Sequence, residues 1–597
     1  MNKTLVICFI LIIVFSNIST VLASNYKEEE LLETNSEKKW TYIFYDAHDY
    51  THNWMEPMMF RFITRPWSNK NFNYVVLQDT FYGPGRIFNI KNLGRKVLLE
   101  NLGEINMGNS STLEYFVSYC KENFPAKRYF LEIASHGTAW YASGLDDTNN
   151  HDWLTLEEIQ KALTKTGGVD IMAFISSCAM ASTESVYELR NLTDVYIGSE
   201  EGTAYDFRVY NPIYKLLKYE SDLSNIEIGN RIIEIIRNTE KNTKLYPIPR
   251  NTMSAIRTDK ITNLVDAIDN FTIEISKDLE NNFEDIKSIH KKTQLFFDDD
   301  LLDIYDFAKN YNQINGLDEN LSTCLNNIMQ AVNDTVINEY HNELYPGSHG
   351  LTLYLPYWGG YQWFVPENTY SNFGLDFAND TTWDEFLINY DNLFARVDDD
   401  GTADYKTIQQ AIDNSSEGDI IYVLNGTYNE NIVISKQLVL VGEDSNSTII
   451  VGDKTGNTIT VTKDRTKLLY FGVCNSSHDS AGIKVSANST EIRFCNIYDN
   501  NIGVYVKDSS DSKIARNFIL DNKLGVYLSN SYKTHIINNK FKDNNKHASF
   551  SNSKRNIWHN QYLKQPDKRI NIIIGSKNIG KISIPVIRLD RPHIYII

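Results

Sequence analysis

An internal repeat in the last third of the chain restricts its fold more than any other sequence feature. Three glycines, Gly482, Gly503 and Gly525, recur there at steps of 21 and 22 residues. Asparagines keep nearly the same spacing, in the series Asn475, Asn496, Asn517, Asn539 and Asn560 and the series Asn500, Asn522 and Asn544. Short β-type runs closed by asparagine or glycine are typical of the coils of a parallel β-helix. We therefore predict stacked coils in which asparagine side chains hydrogen-bond one another.

This repeat segment resembles the right-handed β-helix proteins of the pectate-lyase type, particularly the periplasmic copper-associated group with repeated Asn-x-Ile and Gly-Val-Tyr motifs. The resemblance implies a fold and not a function, because the same coil serves lyases, esterases and binding proteins. No acidic cluster with a partnered arginine or lysine indicates polysaccharide cleavage, and His535, His547 and His559 lack metal-ligand spacing. Cys474 and Cys495 lie one coil apart in the repeat and are expected to stack, either as a disulfide or as two inert thiols.

The rest of the chain has a different sequence pattern. With 597 residues, more than one domain is expected. Before Val397, short β-type runs alternate with helical stretches, which predicts α/β units around a mostly parallel sheet. A helical insertion region covers residues 213–340, and a last strand is predicted at 350–356. The predicted divisions are a signal peptide at 1–23, a charged spacer at 24–38, an α/β domain at 39–395 and the β-helix at 396–597.

The N-terminus predicts export of the chain. Lys3 precedes an unbroken apolar run from Leu5 to Phe15, and a small-residue cleavage site ends at Ala23. The run is short for a membrane span, although retention as an uncleaved anchor stays open. We expect a secreted or cell-surface protein without a transmembrane segment after signal removal. The net charge of −18 disfavours nucleic-acid binding, because no excess of cations is available to neutralise phosphates.

Two predicted strands of the α/β domain end in residues that suit nucleophilic catalysis. One strand runs into His136 and Gly137, and another runs into Cys178. Sites form at the carboxyl ends of parallel strands, so the imidazole and the thiol would meet if these strands are neighbours. A nearby imidazole favours the reactive thiolate, and so would a helix predicted to start at Met180. The amides of Gly137 and Cys178 are the candidate oxyanion donors.

The motifs around these residues, taken in order, resemble the clostripain-like cysteine peptidases over about residues 40–395. The runs that carry the resemblance are Ser135–Trp140, Gly144–Asp147, Leu154–Glu157, Ser177–Met180 with Glu184, Gly198–Glu201 and Ser348–Pro356. The resemblance implies an α/β caspase-like sandwich in which His136 and Cys178 act as a catalytic dyad. It also implies a peptide or protein substrate cleaved after a basic residue.

The chain departs from the family pattern in the expected specificity pocket. The family usually has an acid two positions before the nucleophile, and this chain has Ser176 there. Asp206, downstream of Glu200 in the segment that resembles the other pocket wall, could supply the remaining charge. We predict Ser176, Glu200 and Asp206 as substrate-binding residues, with a preference for arginine over lysine. His48 and two other histidines, His151 and His349, are expected to be structural.

Cysteine peptidase activity is therefore the leading hypothesis, with the β-helix as a binding or surface-targeting module, for instance on a cell-surface glycan. The alternative from another class is a surface adhesion or carbohydrate-binding protein with an inactive peptidase domain. The chemistry requires no cofactor, and we single out no set of metal ligands. Calcium remains open because of two acidic runs, at 298–300 and 398–400.

Overall fold

The structure is a computed structural model of the chain. It describes residues 37–49, 71–81, 83–91, 95–203, 207–241, 251–297, 300–356, 370, 373–401 and 403–559, with short strands at 562–564, 573–574 and 595–596. The predicted signal peptide and nearly all of the predicted spacer lie outside the described residues. Two compact units divide between Leu387 and Ile388. Within the described ranges, no helix has the length and apolar character needed to cross a bilayer.

The first unit is built on a nine-stranded sheet whose centre is parallel. The strand order is β13-β10-β9-β8-β5-β1-β2-β3-β4, and the pairs from β9 through β2 are parallel, whereas both edges are antiparallel. The strands of this unit are β1 (Lys38–His48), β2 (Phe72–Thr80), β3 (Gly83–Lys91), β4 (Arg95–Gly103), β5 (Ala126–Ala134), β6 (Ala142–Asp146), β7 (Asp152–Thr155), β8 (Ile171–Ala173), β9 (Val195–Gly198), β10 (Thr252–Arg257), β11 (Leu295–Phe296), β12 (Leu301–Asp303), β13 (Val336–His341) and β14 (Thr352–Tyr354).

Helices flank this sheet. They are α1 (Ser110–Asn123), α2 (Leu156–Thr166), α3 (Thr183–Glu188), α4 (Tyr210–Tyr219), α5 (Asn225–Lys241), α6 (Ile261–Ser276), α7 (Leu279–Lys292), α8 (Ile304–Tyr311), α9 (Glu319–Thr335), α10 (Asp376–Asp380) and α11 (Trp383–Asp391). Five of them, α5 to α9, fall in the helical region that the sequence predicts, which β10 to β12 interrupt. Helix α2 begins in a capping box, in which Thr155 and Glu158 satisfy each other's backbone N–H groups.

Alternate residues of the central strand explain why helices pack on both faces. Tyr42 and Phe44 of β1 belong to the apolar cluster that contains Tyr214 of α4 and residues of α5. Tyr45 points to the other face, where its ring lies 6.3 Å from that of Phe116 in α1. A strand buried on both faces has no polar alternation, which is why this segment reads as a nearly continuous apolar run. The predicted α/β sandwich is confirmed.

The second unit is the predicted parallel β-helix. Its first sheet contains strands Ala395–Val397, Ile420–Val423, Val439–Gly442, Lys467–Leu469, Glu491–Arg493, Lys513–Ala515, His535–Ile537, Ile557–His559 and Tyr595–Ile596. Its second contains Gly426–Asn429, Thr448–Val451, Gly472–Cys474, Asn496–Tyr498, Phe518–Leu520, Lys540–Lys542 and Tyr562–Lys564. Its third contains Ile432–Ile434, Ile459–Val461, Ala481–Val485, Ile502–Lys507, Leu524–Ser529, Lys546–Ser551 and Ile573–Ile574. One further helix, α12, spans Ile408–Asn414.

Asparagine side chains connect successive coils of this β-helix. The backbone N–H of Asn500 donates to Asn522 Oδ1, and that of Asn522 donates to Asn544 Oδ1, both at 3.0 Å. Asn517 and Asn539 form a second buried stack with the same bond at 3.0 Å. Each buried amide therefore satisfies a main-chain group that no strand partner reaches. The predicted asparagine stacking is confirmed for these residues.

The expected stacking of Cys474 on Cys495 is wrong. Gly472 pairs with Asn496, which places Cys474 beside Tyr498 one coil on. In two of the three sheets, the coil at this point contains 24 residues, because Leu468 also lies opposite Ile492. The two cysteines are only 21 residues apart, so they do not occupy the same position on successive coils. The five described cysteines are free thiols, which leaves no disulfide in this part of the chain.

Candidate active site

Both predicted reactive residues follow neighbouring strands. β5 and β8 pair in parallel, with Glu132 opposite Ala173 near their carboxyl ends. His136 lies two residues beyond the end of β5, and Cys178 lies five residues beyond the end of β8. Because parallel strands end at the same edge of a sheet, the two loops emerge side by side.

Gly137 is the point at which the two loops touch. A Cβ atom added to Gly137 would lie 2.3 Å from the carbonyl oxygen of Cys178 and 3.0 Å from its amide nitrogen. Real Cβ atoms do not approach backbone so closely, and only glycine fits here. The backbones of the histidine loop and the cysteine loop are therefore in direct contact.

The backbone around Gly137 also sets the direction of its amide. Gly137 forms an antiparallel bridge with Ser143, and the bonds around it run from Thr138 N to Ala142 O (3.0 Å) and from Gly144 N to His136 O (3.2 Å). In this type of pair, the bridged residues direct their own N–H and C=O groups away from each other. The Gly137 amide therefore faces away from Ser143, which suits the predicted oxyanion donor.

The thiol of Cys178 is half-buried and lies against the segment 199–203. Three main-chain donors join the two segments: Ala181 N to Ser199 O at 2.9 Å, Ala179 N to Glu201 O at 3.1 Å, and Thr203 N to Cys178 Sγ at 3.3 Å. Ala179 adopts a left-handed conformation with φ of 57°, which is strained for a residue with a side chain. An N–H group aimed at sulfur stabilises the thiolate over the thiol.

The helix predicted to begin at Met180 starts later. Helix α3 begins at Thr183, where the Ser182 side chain caps it by accepting from Ser185 N. The amides of Ala179 and Ala181 instead donate to Glu201 O and Ser199 O, which keeps these residues out of the helix. The donor that reaches the sulfur is Thr203 N, and the predicted assistance from a helix N-terminus at Met180 is wrong.

His136 is half-buried. Burial lowers the pKa of its imidazole to about 4, the charge of His48 lowers it further, and the carboxylate of Asp147 opposes both. The imidazole is therefore neutral at pH 7 and can accept a proton. His48 is itself held by Asp46, with 2.5 Å between Nδ1 and Oδ1.

A family comparison decides what this arrangement is related to. The model of the clostripain family matches residues 45–391, more than half of the chain. The chain belongs to the clostripain family. A second model, that of the right-handed β-helix region, matches residues 421–580. The right-handed β-helix expected from the repeat is therefore confirmed as well.

Individual relatives are distant. Clostripain of Hathewaya histolytica is 24% identical over 309 residues, a match that spans 42% of this chain and 58% of that protein. Pectinesterase 3 of Solanum lycopersicum is 41% identical over 63 residues, which span 9% of this chain and 12% of that protein. A secreted C11 cysteine protease from Bacteroides thetaiotaomicron, solved with an irreversible peptide inhibitor, aligns with 58% of this chain and 99% of its own, at 16% identity and a TM-score of 0.43.

Among the residues expected to form the clostripain-family specificity pocket, Ser176 and Glu200 are both buried. The Glu200 carboxyl accepts a hydrogen bond from Ser348 and lies against Asp303. Burial, together with the charge of Asp303, raises the pKa of Glu200 well above its usual value. A substrate side chain would have to displace these contacts to reach Glu200. Asp206 lies outside the described residues, so the pocket as a whole stays a prediction.

Ser176 is connected to a buried carboxylate that sequence reasoning missed. Its Oγ lies 2.6 Å from the hydroxyl of Tyr210, and that hydroxyl donates to Glu132 Oε1 at 2.6 Å. Tyr42 also hydrogen-bonds Glu132. Since the Tyr210 proton is directed to Glu132, the serine hydroxyl donates to Tyr210 and presents its lone pairs elsewhere. These hydrogen bonds join α4 to β5, which are distant in sequence, so no local sequence pattern indicates them.

The three histidines expected to be structural each have a carboxylate neighbour. Besides the His48–Asp46 contact, His151 Nδ1 lies 2.5 Å from Asp147 Oδ1. His349 Nδ1 lies 3.2 Å from Asp303 Oδ1. The last contact connects the Ser348–Pro356 motif to the buried acids around Glu200.

A cluster of buried acids also escaped sequence reasoning. Asp49 follows β1, Asp79 lies near the end of β2, and Asp146 ends β6. Burial is the main cause that raises the pKa of Asp49 to about 7 and that of Asp79 to about 8. Acids at the ends of adjacent strands are the signal that could have found them, but the three lie up to 97 positions apart in sequence.

Proposed function

We propose that this chain is a cysteine endopeptidase in which Cys178 is the nucleophile and His136 moves the protons. The observation that carries the proposal is the backbone contact at Gly137, which joins the histidine loop to the cysteine loop. Membership of the clostripain family supports the same chemistry. The match to clostripain spans 58% of that protein's length, so the activity of this chain is inferred from the site.

The proposed reaction follows from these groups. Neutral His136 takes the proton of Cys178, and the thiolate attacks the carbonyl carbon of the scissile peptide bond. The amides of Gly137 and Cys178 stabilise the resulting oxyanion. Protonated His136 then gives its proton to the leaving amine as the C–N bond breaks. Water, activated by the same imidazole, hydrolyses the thioester and restores the thiol.

Cleavage after arginine, with lysine second, is the proposed specificity. A buried cation needs a carboxylate to offset its desolvation, and Asp206 is the candidate for that group. The Ser176 hydroxyl, whose proton is directed to Tyr210, offers acceptor lone pairs and not a charge. One carboxylate still favours arginine, because a guanidinium can bind it with two parallel hydrogen bonds. We expect Asp206→Ala to lose the preference without loss of thiol labelling by a neutral probe.

The β-helix is proposed to bind or to target the enzyme to a surface, with a wall glycan or protein as its partner. None of the proposed catalytic groups belongs to it. The predicted signal peptide would place the enzyme outside the cytoplasm, secreted or at the cell surface.

Labelling with a thiol-reactive peptide ketone tests the proposal. The purified full chain should be modified at Cys178, as peptide mapping by mass spectrometry would show. Cys178→Ala should abolish labelling, and both Cys178→Ala and His136→Ala should lower peptide hydrolysis by at least about a thousandfold. Cys324→Ala is the matched control, because Cys324 is also a half-buried free thiol but lies on α9.

Two outcomes would contradict the proposal. Labelling that persists in Cys178→Ala would show that another residue is the nucleophile. A folded chain whose Cys178 neither reacts nor supports hydrolysis would favour the alternative, a surface adhesion or carbohydrate-binding protein with an inactive peptidase domain.

A further inference from the structure

A buried serine hydroxyl joins the cysteine loop to the strand that leads to His136. Ser177 immediately precedes Cys178 and is fully buried. Its Oγ donates to Ile133 O at 3.0 Å and accepts from Ser135 N at 3.2 Å. One side chain of the cysteine loop is therefore bonded to two main-chain groups at the end of β5, just before the histidine.

These two bonds take the place of strand pairing that stops short of the site. β8 pairs with β5 only as far as Ala173, which lies opposite Glu132. Beyond that point the chain turns away from β5, and Phe174 N donates to Ile197 O of β9 at 2.8 Å. In a parallel pair, one residue bonds the C=O of a partner residue and the N–H of the residue two places further on. The Ser177 hydroxyl, which can both donate and accept, makes the same two bonds to β5.

A second hydroxyl extends the link to the main chain that follows His136. Ser143 Oγ, near the start of β6, lies 3.1 Å from Ser177 Oγ and 3.2 Å from His136 O. Because the Ser177 proton is directed to Ile133 O, Ser143 is the donor in the contact between the two hydroxyls. Ser143 is also fully buried. The main chain on both sides of His136 is therefore connected to Ser177 inside the core.

We propose that Ser177 is a positioning residue that holds the Cys178 thiol in register with the His136 imidazole. The nucleophile belongs to the next residue along the chain, so its position depends on where the Ser177 side chain is anchored. Proton transfer requires the two groups to lie within hydrogen-bond reach, and a shift of about 1 Å is enough to misalign them. This role rests on the proposed function, whereas the link between the loops does not.

Ser254 provides a matched control for the loss of a buried hydroxyl. It lies on β10 of the same sheet, is 1% exposed, and donates to Gly350 O at 2.6 Å. Its hydrogen bonds lie outside the histidine and cysteine loops. Ser177→Ala and Ser254→Ala should both lower the thermal midpoint, because each leaves a buried main-chain oxygen without its hydroxyl donor.

Peptide hydrolysis by the full chain tests the positioning role. Ser177→Ala should lower kcat by at least about tenfold and leave KM within about threefold, because the bond contributes to the alignment of reacting groups and not to substrate binding. Ser254→Ala should keep kcat within about twofold of the parent chain. An unchanged kcat in Ser177→Ala, or equal losses in the two variants, would overturn the proposal.

Hydrogen exchange tests the link without any catalysis. In the full chain carrying Cys178→Ala, adding Ser177→Ala should speed exchange of the Ser135 amide by at least about tenfold, because its acceptor is gone. Mass spectrometry of fragments that cover residues 133–137 measures this rate. Adding Ser254→Ala should leave the rate unchanged. The same rate in both variants would show that Ser177 does not hold the histidine loop.

The outcomes separate this inference from the proposed peptidase. Should Ser177→Ala fail to fold, Ser143→Ala removes only the neighbouring donor and should lower kcat severalfold at an unchanged KM. An unchanged kcat in that variant would overturn the positioning role. A parent chain whose Cys178 fails to react with the peptide ketone would contradict the peptidase and the positioning role together, and the exchange rates would still decide whether Ser177 joins the two loops.

Discussion

At the scale of single residues, the burial of His136 decides how the proposed catalytic pair can work. Burial lowers the pKa of the His136 imidazole to about 4, so the ring is uncharged at pH 7 and can accept a proton. In the proposed reaction the thiolate forms when His136 takes the proton of Cys178. Thr203 N, 3.3 Å from the sulfur, stabilises the negative charge at that moment. Proton transfer and attack therefore depend on the same small set of contacts.

The lowered pKa of His136 predicts how stability depends on pH. In the unfolded chain the imidazole titrates near 6.5, but in the folded chain near 4, so the unfolded state binds the extra proton first as pH falls. The free energy of unfolding therefore keeps its full value above pH 6.5. It falls progressively as the pH is lowered towards 4, by up to about 3 kcal/mol. The thermal midpoint of His136→Gln should fall less over this range than that of the wild type. His478→Gln, with an exposed ring, is the control, and an equal fall in both variants would contradict the assignment.

The hydroxyl chain from Glu132 predicts an effect on specificity. Tyr210→Phe removes the acceptor for the Ser176 proton, which frees the serine to turn that proton towards the substrate. The ratio of kcat/KM for arginine peptides to that for leucine peptides should fall severalfold, which corresponds to the free energy of about one hydrogen bond. Tyr74→Phe is the matched control, because Tyr74 bonds Tyr214 in the same core and does not contact Ser176. Equal ratios in both variants would show that the hydrogen bonds from Ser176 through Tyr210 to Glu132 do not affect specificity.

At the scale of elements, the site depends on how closely two loops approach. Gly137→Ala would place a methyl group 2.3 Å from the Cys178 carbonyl oxygen, and the loops would have to move apart. Hydrolysis should fall by about a hundredfold, since a shift of about 1 Å is enough to misalign reacting groups. Gly202→Ala also faces Cys178, but its Cβ would lie 4.0 Å from Sγ in ordinary contact, so its activity should be nearly normal. Comparable losses in the two variants would show that the close approach is unimportant.

Elements also show what sequence could and could not predict. The strands that precede His136 and Cys178 could be predicted, because buried parallel strands are continuous apolar runs. The start of α3 could not, because main-chain hydrogen bonds to segment 199–203 keep residues 179–181 out of the helix despite their helix-forming side chains. The stacking of Cys474 failed for a similar reason, since some coils contain 24 residues. Local pattern identifies elements, whereas their ends and register depend on distant partners.

Residue clusters built from separate elements were the hardest to predict. Asp49, Asp79 and Asp146 come from three strands, and each looks like an ordinary loop acid in the sequence. The contact of Tyr210 with Glu132 likewise joins a helix to a strand that is distant in sequence. Such sites appear only when the sheet order is known.

At the scale of the whole molecule, the chain consists of two compact units that divide between Leu387 and Ile388. The first turn of α11 belongs to the peptidase unit, because Trp383 Nε1 donates to Tyr354 O at 3.0 Å. Ala395 begins a strand that pairs with Ile421 of the β-helix. A cut after Phe394 therefore keeps the strand pairs of both units, but it separates Phe394 from the Tyr422 ring and Asp391 from Arg396.

A truncated chain ending at Phe394 tests whether the units work separately. We expect residues 37–394 to fold and to hydrolyse short peptides with a kcat/KM within about twofold of the mature full chain, because every proposed catalytic group precedes the cut. Peptide hydrolysis and circular dichroism of both chains are the measurements. Truncation should instead abolish association with cell walls, if the β-helix is the targeting module. A truncated chain that is folded but inactive on short peptides would show that the β-helix contributes to the site. The same chain carrying Cys178→Ala separates that result from contaminating activity, because only hydrolysis that depends on Cys178 belongs to the peptidase unit.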